Sequence, residues 1–287
     1  MSAKNPFKSI VFAGGGSRCL WQAGFWEAAS SALKLKPEVI AGVSAGATMA
    51  VMSLGGRIRE GLDFFKKITS ENEKNFYLSN LFGRKPAFPQ YAMYRRALLE
   101  IITEKAFKKI VSGPELRVLV TRPPRFLGPR SGTVVGLMTY VLEKKISYPV
   151  HPRWASKIGY HSEVIPVSSC SSVEELADLL LHSSCTPPVV PIMKRDGKTV
   201  LDGGIIDNVP VVALDEDPGQ TLVLLSRRYP DEILPKVPGR IYLQPSEEPP
   251  VAKWDYTNPE GSQGAFDMGL RDGEQFLKDF GEGKFEL

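Results

Sequence analysis

Short apolar runs that end in glycine alternate with longer stretches of helical periodicity at the start of the chain. Residues 9–13 form a short β-branched and aromatic run that meets three glycines, after which residues 20–33 space their apolar side chains as a helix does. Residues 39–43 repeat the short run, and residues 45–54, which are small and apolar, are typical of a helix buried against a sheet. The pattern predicts strand, glycine loop, helix, strand and helix.

The same alternation of strands and helices continues downstream. It predicts further helices at residues 58–68, 92–106, 134–142, 173–181 and 266–280, the fourth of them capped by Ser172. It predicts further strands at residues 116–120, 163–167, 199–201, 222–225 and 241–243. We therefore expect an α/β fold of about six or seven strands, in which helices cover both faces of a central, mostly parallel sheet.

A proline-rich segment at residues 245–250 is the clearest boundary in the chain. It separates a domain over residues 7–245 from a tail over residues 246–287. The tail contains one predicted helix and is too short to build a core of its own, so we expect it to dock on the domain.

Composition limits the partners and the location of the protein. The chain has 287 residues and a net charge of +4, far below the clustered excess of nucleic-acid-binding proteins but compatible with peripheral contact at an anionic membrane surface. The three cysteines cannot all pair and lack zinc-binding or redox spacing, which indicates a reducing compartment. No run approaches the length of a membrane span, and residues 10–13 are too short for a signal peptide. We expect a cytoplasmic protein.

The segment Gly42-Val43-Ser44-Ala45-Gly46 fits a nucleophile elbow, in which a serine lies on a sharp turn from strand to helix. A serine hydroxyl is a poor nucleophile until a base takes its proton. The three histidines all precede Asp202, and only one strand precedes the elbow, which disagrees with the serine, acid, histidine order of the α/β-hydrolase fold. Asp202, which ends an apolar strand and precedes Gly203 and Gly204, is the candidate base.

A second glycine motif, Gly14-Gly15-Gly16-Ser17, follows the first predicted strand and precedes the first predicted helix. The backbone amides of such a loop can converge on an anion, and the helix dipole adds to the field there. We expect these four residues to form the oxyanion hole that acyl transfer requires.

Together the motifs resemble the patatin-like phospholipase family. Its glycine-rich oxyanion loop, Gly-x-Ser-x-Gly elbow and Asp-Gly-Gly block match at residues 14–19, 42–46 and 202–204. Two further blocks are similar, Ser183-Ser184-Cys185-Thr186-Pro187-Pro188 and Asn208-Val209-Pro210, so the resemblance covers roughly residues 7–212. It implies a patatin-like three-layer α/β/α fold, a Ser44/Asp202 dyad, no metal or other cofactor, and hydrolysis of lipid or other acyl esters.

Cys19 departs from the family pattern, which usually closes the oxyanion loop with glycine. Cysteine is strained at a position that needs a positive φ and harmless in the first turn of a helix. A catalytically silent lipid-binding protein on the same fold is therefore the alternative to an enzyme. The glycine loop alone also fits a dinucleotide-binding loop, although Cys19 breaks that fingerprint. Asp202 alone fits an Asx turn.

Three basic or apolar features have more than one interpretation. Arg18 fits a head-group contact, a solvated side chain or a structural ion pair. Residues 134–142 fit either the wall of an acyl-chain site or ordinary core packing, which is the default. Four arginines around Pro123-Pro124 either face phospholipid head groups or belong to a solvated loop; they are Arg117, Arg122, Arg125 and Arg130.

Overall fold

One mixed β-sheet organises the protein. The computed structural model describes residues 5–82, 85–214, 216 and 218–285. Over these residues the sheet has eight strands, in the order β5-β6-β3-β2-β1-β7-β8, with β4 paired to β3. The strands are Ser9–Phe12 (β1), Val39–Val43 (β2), Glu115–Arg122 (β3), His161–Pro166 (β4), Met193–Arg195 (β5), Lys198–Asp202 (β6), Thr221–Leu224 (β7) and Arg240–Leu243 (β8).

The parallel strands form the centre of this sheet. β3, β2, β1, β7 and β8 pair in parallel, and the antiparallel pairs are β3 with β4, β3 with β6, and β5 with β6. The expected mostly parallel α/β sheet is thus confirmed. The short strand β5 was not predicted, because its three residues form a hairpin with β6 and carry little periodicity of their own.

Helices flank the sheet unequally. They are Leu20–Ala29 (α1), Ala45–Gly55 (α2), Ile58–Ser70 (α3), Gln90–Ile101 (α4), Glu104–Val111 (α5), Pro129–Ser147 (α6), Trp154–Lys157 (α7), Val173–Ser183 (α8) and Pro259–Gly281 (α9). Ile10 and Phe12 of β1 join the large core formed with α1–α5, α8 and α9, whereas Val11 faces a smaller core built mainly from loops. Leu201 of β6 packs with side chains of α6 and α7. None of the helices in the described ranges has the length and hydropathy needed to cross a membrane.

Capping side chains decide where two of the predicted helices begin. The predicted single helix at residues 92–106 is wrong: α4 ends at Ile101, and Thr103 begins α5 by accepting a hydrogen bond from the Ala106 amide at 3.2 Å. A side-chain cap of this kind satisfies an amide that a continuous helix would have bonded internally. Ser172 caps α8 as expected, through the Glu175 amide.

Helix α9 packs closely on α1. Its Phe266 and Phe276 are buried in the large core that contains α1, and residues 286 and 287 of the tail lie outside the described residues. The two helices approach at glycines: a Cβ at Gly24 would overlap the Phe266 carbonyl oxygen, and one at Gly269 would overlap the Trp21 carbonyl oxygen. The tail therefore supplies one side of the core through a contact that only glycine permits.

Gly269→Ala is expected to destabilise the protein by about 1–3 kcal/mol, because the added methyl group forces α9 away from α1. The matched control is Gly281→Ala on the same helix, where no atom lies within 4 Å of the new Cβ and helix propensity favours alanine. Urea unfolding of both variants measures the difference in the free energy of unfolding. Equal free energies of unfolding for the two variants would show that the close approach of α1 and α9 does not contribute to stability.

Candidate active site

Ser44 lies on a sharp turn between β2 and α2. Its backbone has φ 53° and ψ −135°, a left-handed conformation that is uncommon outside glycine, and its side chain is buried. The flanking glycines allow the close packing of this turn. A Cβ at Gly46 would overlap the carbonyl oxygens of Phe12 and Ala13, and a Cβ at Gly42 would lie 2.7 Å from the Ala47 Cα. The local geometry is that of a nucleophile elbow.

The register of the sheet brings Asp202 to the same level as this turn. Val43, the last residue of β2, pairs with Leu119 of β3, and Asp202, the last residue of β6, pairs with Val120 of β3. Ser44 and Asp202 therefore meet although they lie far apart in sequence. The Ser44 hydroxyl donates to Asp202 Oδ2 at 3.1 Å.

The Asp202 carboxylate is oriented by two further donors. The Thr186 hydroxyl donates to Oδ2 at 3.0 Å, and the Gly204 amide donates to Oδ1 at 2.8 Å. A Cβ at Gly203 would overlap the Leu119 carbonyl oxygen, so this residue has to be glycine for the chain to pass β3. Thr186 lies in the segment Ser183 to Pro188 that the sequence singled out, but its contact with Asp202 depends on a fold that the sequence does not display.

Ser183, at the end of α8, connects the elbow to the sheet. Its hydroxyl accepts a hydrogen bond from the Ser44 amide at 2.8 Å and donates one to the Leu119 carbonyl at 2.7 Å. Both backbone groups are buried and would lack these partners without the hydroxyl. Ser183 is thus a positioning residue for Ser44, and its role was not predicted.

The glycine loop is held by side chains from the opposite end of the chain. The Gly14 carbonyl accepts from Asn208 Nδ2 at 2.7 Å and from the Ser226 hydroxyl at 2.6 Å, while the Gly14 amide donates to the Asn208 carbonyl at 2.9 Å. The Ser17 amide donates to the Lys253 carbonyl at 3.1 Å. Of the four amides expected to bind an oxyanion, those of Gly14 and Ser17 are therefore already bonded.

Gly15 and Gly16 supply the two remaining amides of the loop. No hydrogen-bond acceptor for either amide is found within the described ranges. Gly16 has φ +61°, and a Cβ there would overlap the Lys253 carbonyl oxygen; a Cβ at Gly15 would overlap the Ser226 side chain. Both positions require glycine, and among the described residues neither amide has an acceptor in the protein.

Cys19 causes no strain in this loop. Its φ of −65° and ψ of −12° are helical, its side chain is fully buried, and its thiol donates to the Ala13 carbonyl at 3.4 Å. Burial raises the pKa of the thiol to about 12. The position normally occupied by glycine is here the entry to a helix, which any residue can adopt.

Arg18 forms an ion pair rather than facing solvent freely. Its Nη1 lies 3.8 Å from Glu248 Oε2, in the loop that precedes α9. This contact supports the structural interpretation of Arg18.

A cavity of about 600 Å³ opens beside Asp202. Its lining is mostly apolar and includes Leu137, Tyr140, Lys144, Thr186, Lys253 and Trp254. Partial burial and the nearby cations Arg227, Lys253 and Arg18 lower the pKa of Lys144 to about 8. A second, apolar cavity beside Ala45 and Met49 holds only about 40 Å³. Since small-molecule sites usually measure about 300–1,000 Å³, the cavity at Asp202 is large enough for a substrate, whereas the one beside Ala45 and Met49 is not.

The contact between His151 and Asp207 is separate from this site. His151 Nδ1 lies 3.0 Å from Asp207 Oδ1, and its Nε2 lies 3.2 Å from the Tyr242 hydroxyl. These three residues line a different cavity, on which neither Ser44 nor Asp202 opens. Among the described residues, no histidine is hydrogen-bonded to Ser44 or Asp202.

A model of a known protein family covers the part of the chain that carries these motifs. The family model described as Patatin-like phospholipase matches residues 10–215. A search of the curated proteins found no match. Among solved structures, VipD from Legionella pneumophila is similar with a TM-score of 0.47 and 14% sequence identity, over 96% of this chain and 68% of that chain.

Ser183→Ala is expected to lower the free energy of unfolding by about 1–3 kcal/mol, because it leaves two buried backbone groups without partners. It is also expected to lower kcat for a soluble ester more than it changes KM, because Ser44 loses its support but the cavity does not change. The control is Ser184→Ala, whose hydroxyl makes a long 3.4 Å contact with the Tyr94 hydroxyl. If both variants behave alike in urea unfolding and kinetics, Ser183 does not position the elbow.

The three thiols are expected to be unreactive in the folded protein. Burial raises the pKa of Cys19 and Cys185 to about 12 and that of Cys170 to about 11, above the ordinary 9.0. At pH 8 the thiolate fraction then falls from roughly a tenth to roughly a thousandth or less. A chromogenic disulfide reagent should label the protein only after unfolding in denaturant, and then at three sites. Rapid labelling without denaturant would contradict the burial.

Proposed function

Because the chain belongs to the patatin-like phospholipase family, we propose that it is a serine acyl hydrolase that cleaves acyl esters of lipids with Ser44 and Asp202. Family membership supports lipid acyl hydrolysis in general. The observation that carries the assignment to these two residues is the 3.1 Å hydrogen bond from the Ser44 hydroxyl to Asp202 Oδ2, on a strained elbow beside a cavity of substrate size.

In the proposed first step, Ser44 Oγ attacks the ester carbonyl carbon and its proton passes to Asp202 Oδ2. The carbonyl π electrons move to the oxygen, which becomes an oxyanion. When this tetrahedral intermediate collapses, the carbon–oxygen bond to the alcohol breaks and the alcohol leaves with the proton from Asp202. An ester between Ser44 and the acyl group remains.

In the second step, water attacks the acyl-enzyme and gives its proton to Asp202. Collapse breaks the bond to Ser44 Oγ, which takes the proton back, and a carboxylic acid leaves. The proton thus moves between Ser44, Asp202 and the substrate without a histidine. These steps are nucleophilic attack and proton transfer, so the proposal includes no cofactor.

The Gly15 and Gly16 amides are the proposed oxyanion donors. They are the two amides of the loop without an acceptor among the described residues, and the carbonyl of Gly14 is fixed by Asn208 and Ser226. A loop fixed before the reaction need not reorganise when the negative charge appears. Of the four residues expected to form the oxyanion hole, the proposal therefore keeps two, Gly15 and Gly16.

The wall of the cavity supports a lipid-like substrate. Apolar side chains such as Leu137 and Trp254 suit an acyl chain, and Lys144 and Lys253 suit an anionic or polar head group. A substrate held in a bilayer makes peripheral membrane contact part of the proposal. The cytoplasmic location expected from the cysteines stays a prediction, and the three thiols are free and buried.

The structure gives no reason to prefer the alternative of a catalytically silent lipid-binding protein. That alternative depended on strain at Cys19, and the helical φ of −65° shows none. The dinucleotide-binding interpretation is likewise weakened, because the Gly14 and Ser17 amides are engaged by the Asn208 and Lys253 carbonyls instead of being open to a pyrophosphate.

Ser44→Ala and Asp202→Asn are each expected to lower kcat/KM on a nitrophenyl ester series, from acetate to palmitate, by about a thousandfold or more. Ser184→Ala and Asp196→Asn serve as matched controls, since neither side chain contacts the dyad. Circular dichroism checks that each variant is folded. A folded wild type that hydrolyses none of the esters, or variants that retain full activity, would refute the proposed dyad.

A further inference from the structure

Five apolar side chains of helix α6 point away from the protein, whereas Val135 and Leu137 of the same helix pack against a buried cluster. Val134, Met138, Val141, Leu142 and Ile146 are between 47 and 69% exposed. At 100° per residue they occupy a single stripe roughly 140° wide. A helix that only covers a core buries such a stripe. The default expectation of core packing for residues 134–142 is therefore wrong for Val134, Met138, Val141 and Leu142, although Val135 and Leu137 do pack inward. We call the stripe of five exposed side chains the α6 outer face.

The opposite side of α6 is fixed by small and charged residues. Its buried positions are Gly132, Thr133, Gly136 and Glu143. A Cβ at Gly136 would lie 2.8 Å from the Tyr160 ring, whose hydroxyl donates to the Gly132 carbonyl. The Glu143 carboxylate accepts the amides of Arg153 at 2.7 Å and Trp154 at 2.9 Å, at the start of α7. The helix cannot rotate its apolar stripe inward without losing these contacts.

The segment that contains α6 concentrates positive charge. Residues 123–160 include six lysines and arginines but one acidic residue, the buried Glu143, giving a formal charge of +5 against +4 for the whole chain. The four arginines near Pro123-Pro124 differ in their surroundings. Arg117 and Arg122 bond to Glu115 and Glu163, whereas Arg125 and Arg130 are exposed beside the start of α6.

The α6 outer face adjoins the cavity at Asp202. Tyr140 and Lys144, on the side of the same helix, line that cavity together with Asp202. A surface that contacts the outer face therefore lies next to the cavity beside Asp202.

We propose that the α6 outer face docks on an anionic lipid surface, with the helix parallel to the bilayer plane, its apolar stripe among the acyl chains and Arg125 and Arg130 at the lipid phosphates. This inference rests on the proposed function in one respect: the docked surface is also the source of the substrate. An apolar stripe flanked by basic side chains is typical of helices that lie in a membrane interface. A second copy of the chain fits this face poorly, because two segments of charge +5 would be brought together.

Vesicle flotation tests the docking surface. Wild type and Ser44→Ala are expected to bind vesicles of phosphatidylcholine with phosphatidylglycerol, to bind pure phosphatidylcholine less, and to lose binding as salt is raised. The triple variant Val134→Ser/Met138→Ser/Ile146→Ser should weaken binding roughly tenfold or more. Arg125→Gln/Arg130→Gln should weaken binding to the anionic vesicles by about fivefold per charge removed.

Matched variants on other surfaces control for general effects. Leu78→Ser/Val212→Ser/Val237→Ser removes three exposed apolar side chains elsewhere, and Lys105→Gln/Lys108→Gln removes two exposed charges on α5; both should bind as wild type. The α6 triple variant, the double arginine variant and both control variants should hydrolyse a short soluble ester at the wild-type rate. Vesicle binding without any ester hydrolysis would refute the proposed function and leave the docking intact.

Three results would overturn the docking proposal. The first is equal vesicle binding by wild type and the α6 triple variant. The second is failure of wild type to bind anionic vesicles. The third is a wild-type dimer in sedimentation that the α6 triple variant converts to a monomer, since this would assign the outer face to a second copy.

Discussion

The left-handed backbone of Ser44 is the constraint on which the candidate site depends. A non-glycine residue in such a conformation costs of order 1–3 kcal/mol and persists only where its surroundings hold it. Here the support comes from two directions: Gly46 lets α2 begin directly against the end of β1, and Ser183 bonds the Ser44 amide from α8. Elements that are distant in sequence thus pack around one residue, and the hydroxyl can point only where that packing directs it.

The register of β3 provides the partner for this hydroxyl. β2 ends level with Leu119 and β6 ends level with Val120, so the residues at both ends meet over the same strand. Asp202 is then fixed by Thr186 and Gly204, which leaves Oδ2 shared between two hydroxyl donors. A carboxylate held in this way meets the Ser44 hydroxyl directly, and no histidine lies between the two groups among the described residues.

The sequence predicted the parts of the site that are local and missed those that depend on long-range packing. Ser44, Asp202 and the glycine loop could be found because turns and close approaches require particular residues at fixed spacing. The bonding of the Gly14 and Ser17 amides could not, because their acceptors, Asn208 and Lys253, are brought in by the tertiary fold. The same holds for Ser183, for the contact between His151 and Asp207, and for the break between α4 and α5, where Thr103 outweighs a continuous helical periodicity.

Helix α6 shows why the hydrophobic pattern alone did not predict which apolar side chains of residues 134–142 are exposed. Periodicity finds an apolar stripe but does not say which side of a helix faces the core. In α6 the question is decided by Gly136, which admits the Tyr160 ring, and by Glu143, which caps the start of α7. Those inward contacts also bring Tyr140 and Lys144 to the cavity beside Asp202. The packing that completes the wall of the cavity is therefore the same packing that turns the apolar stripe outward, so that the candidate site and an exposed apolar surface share one helix.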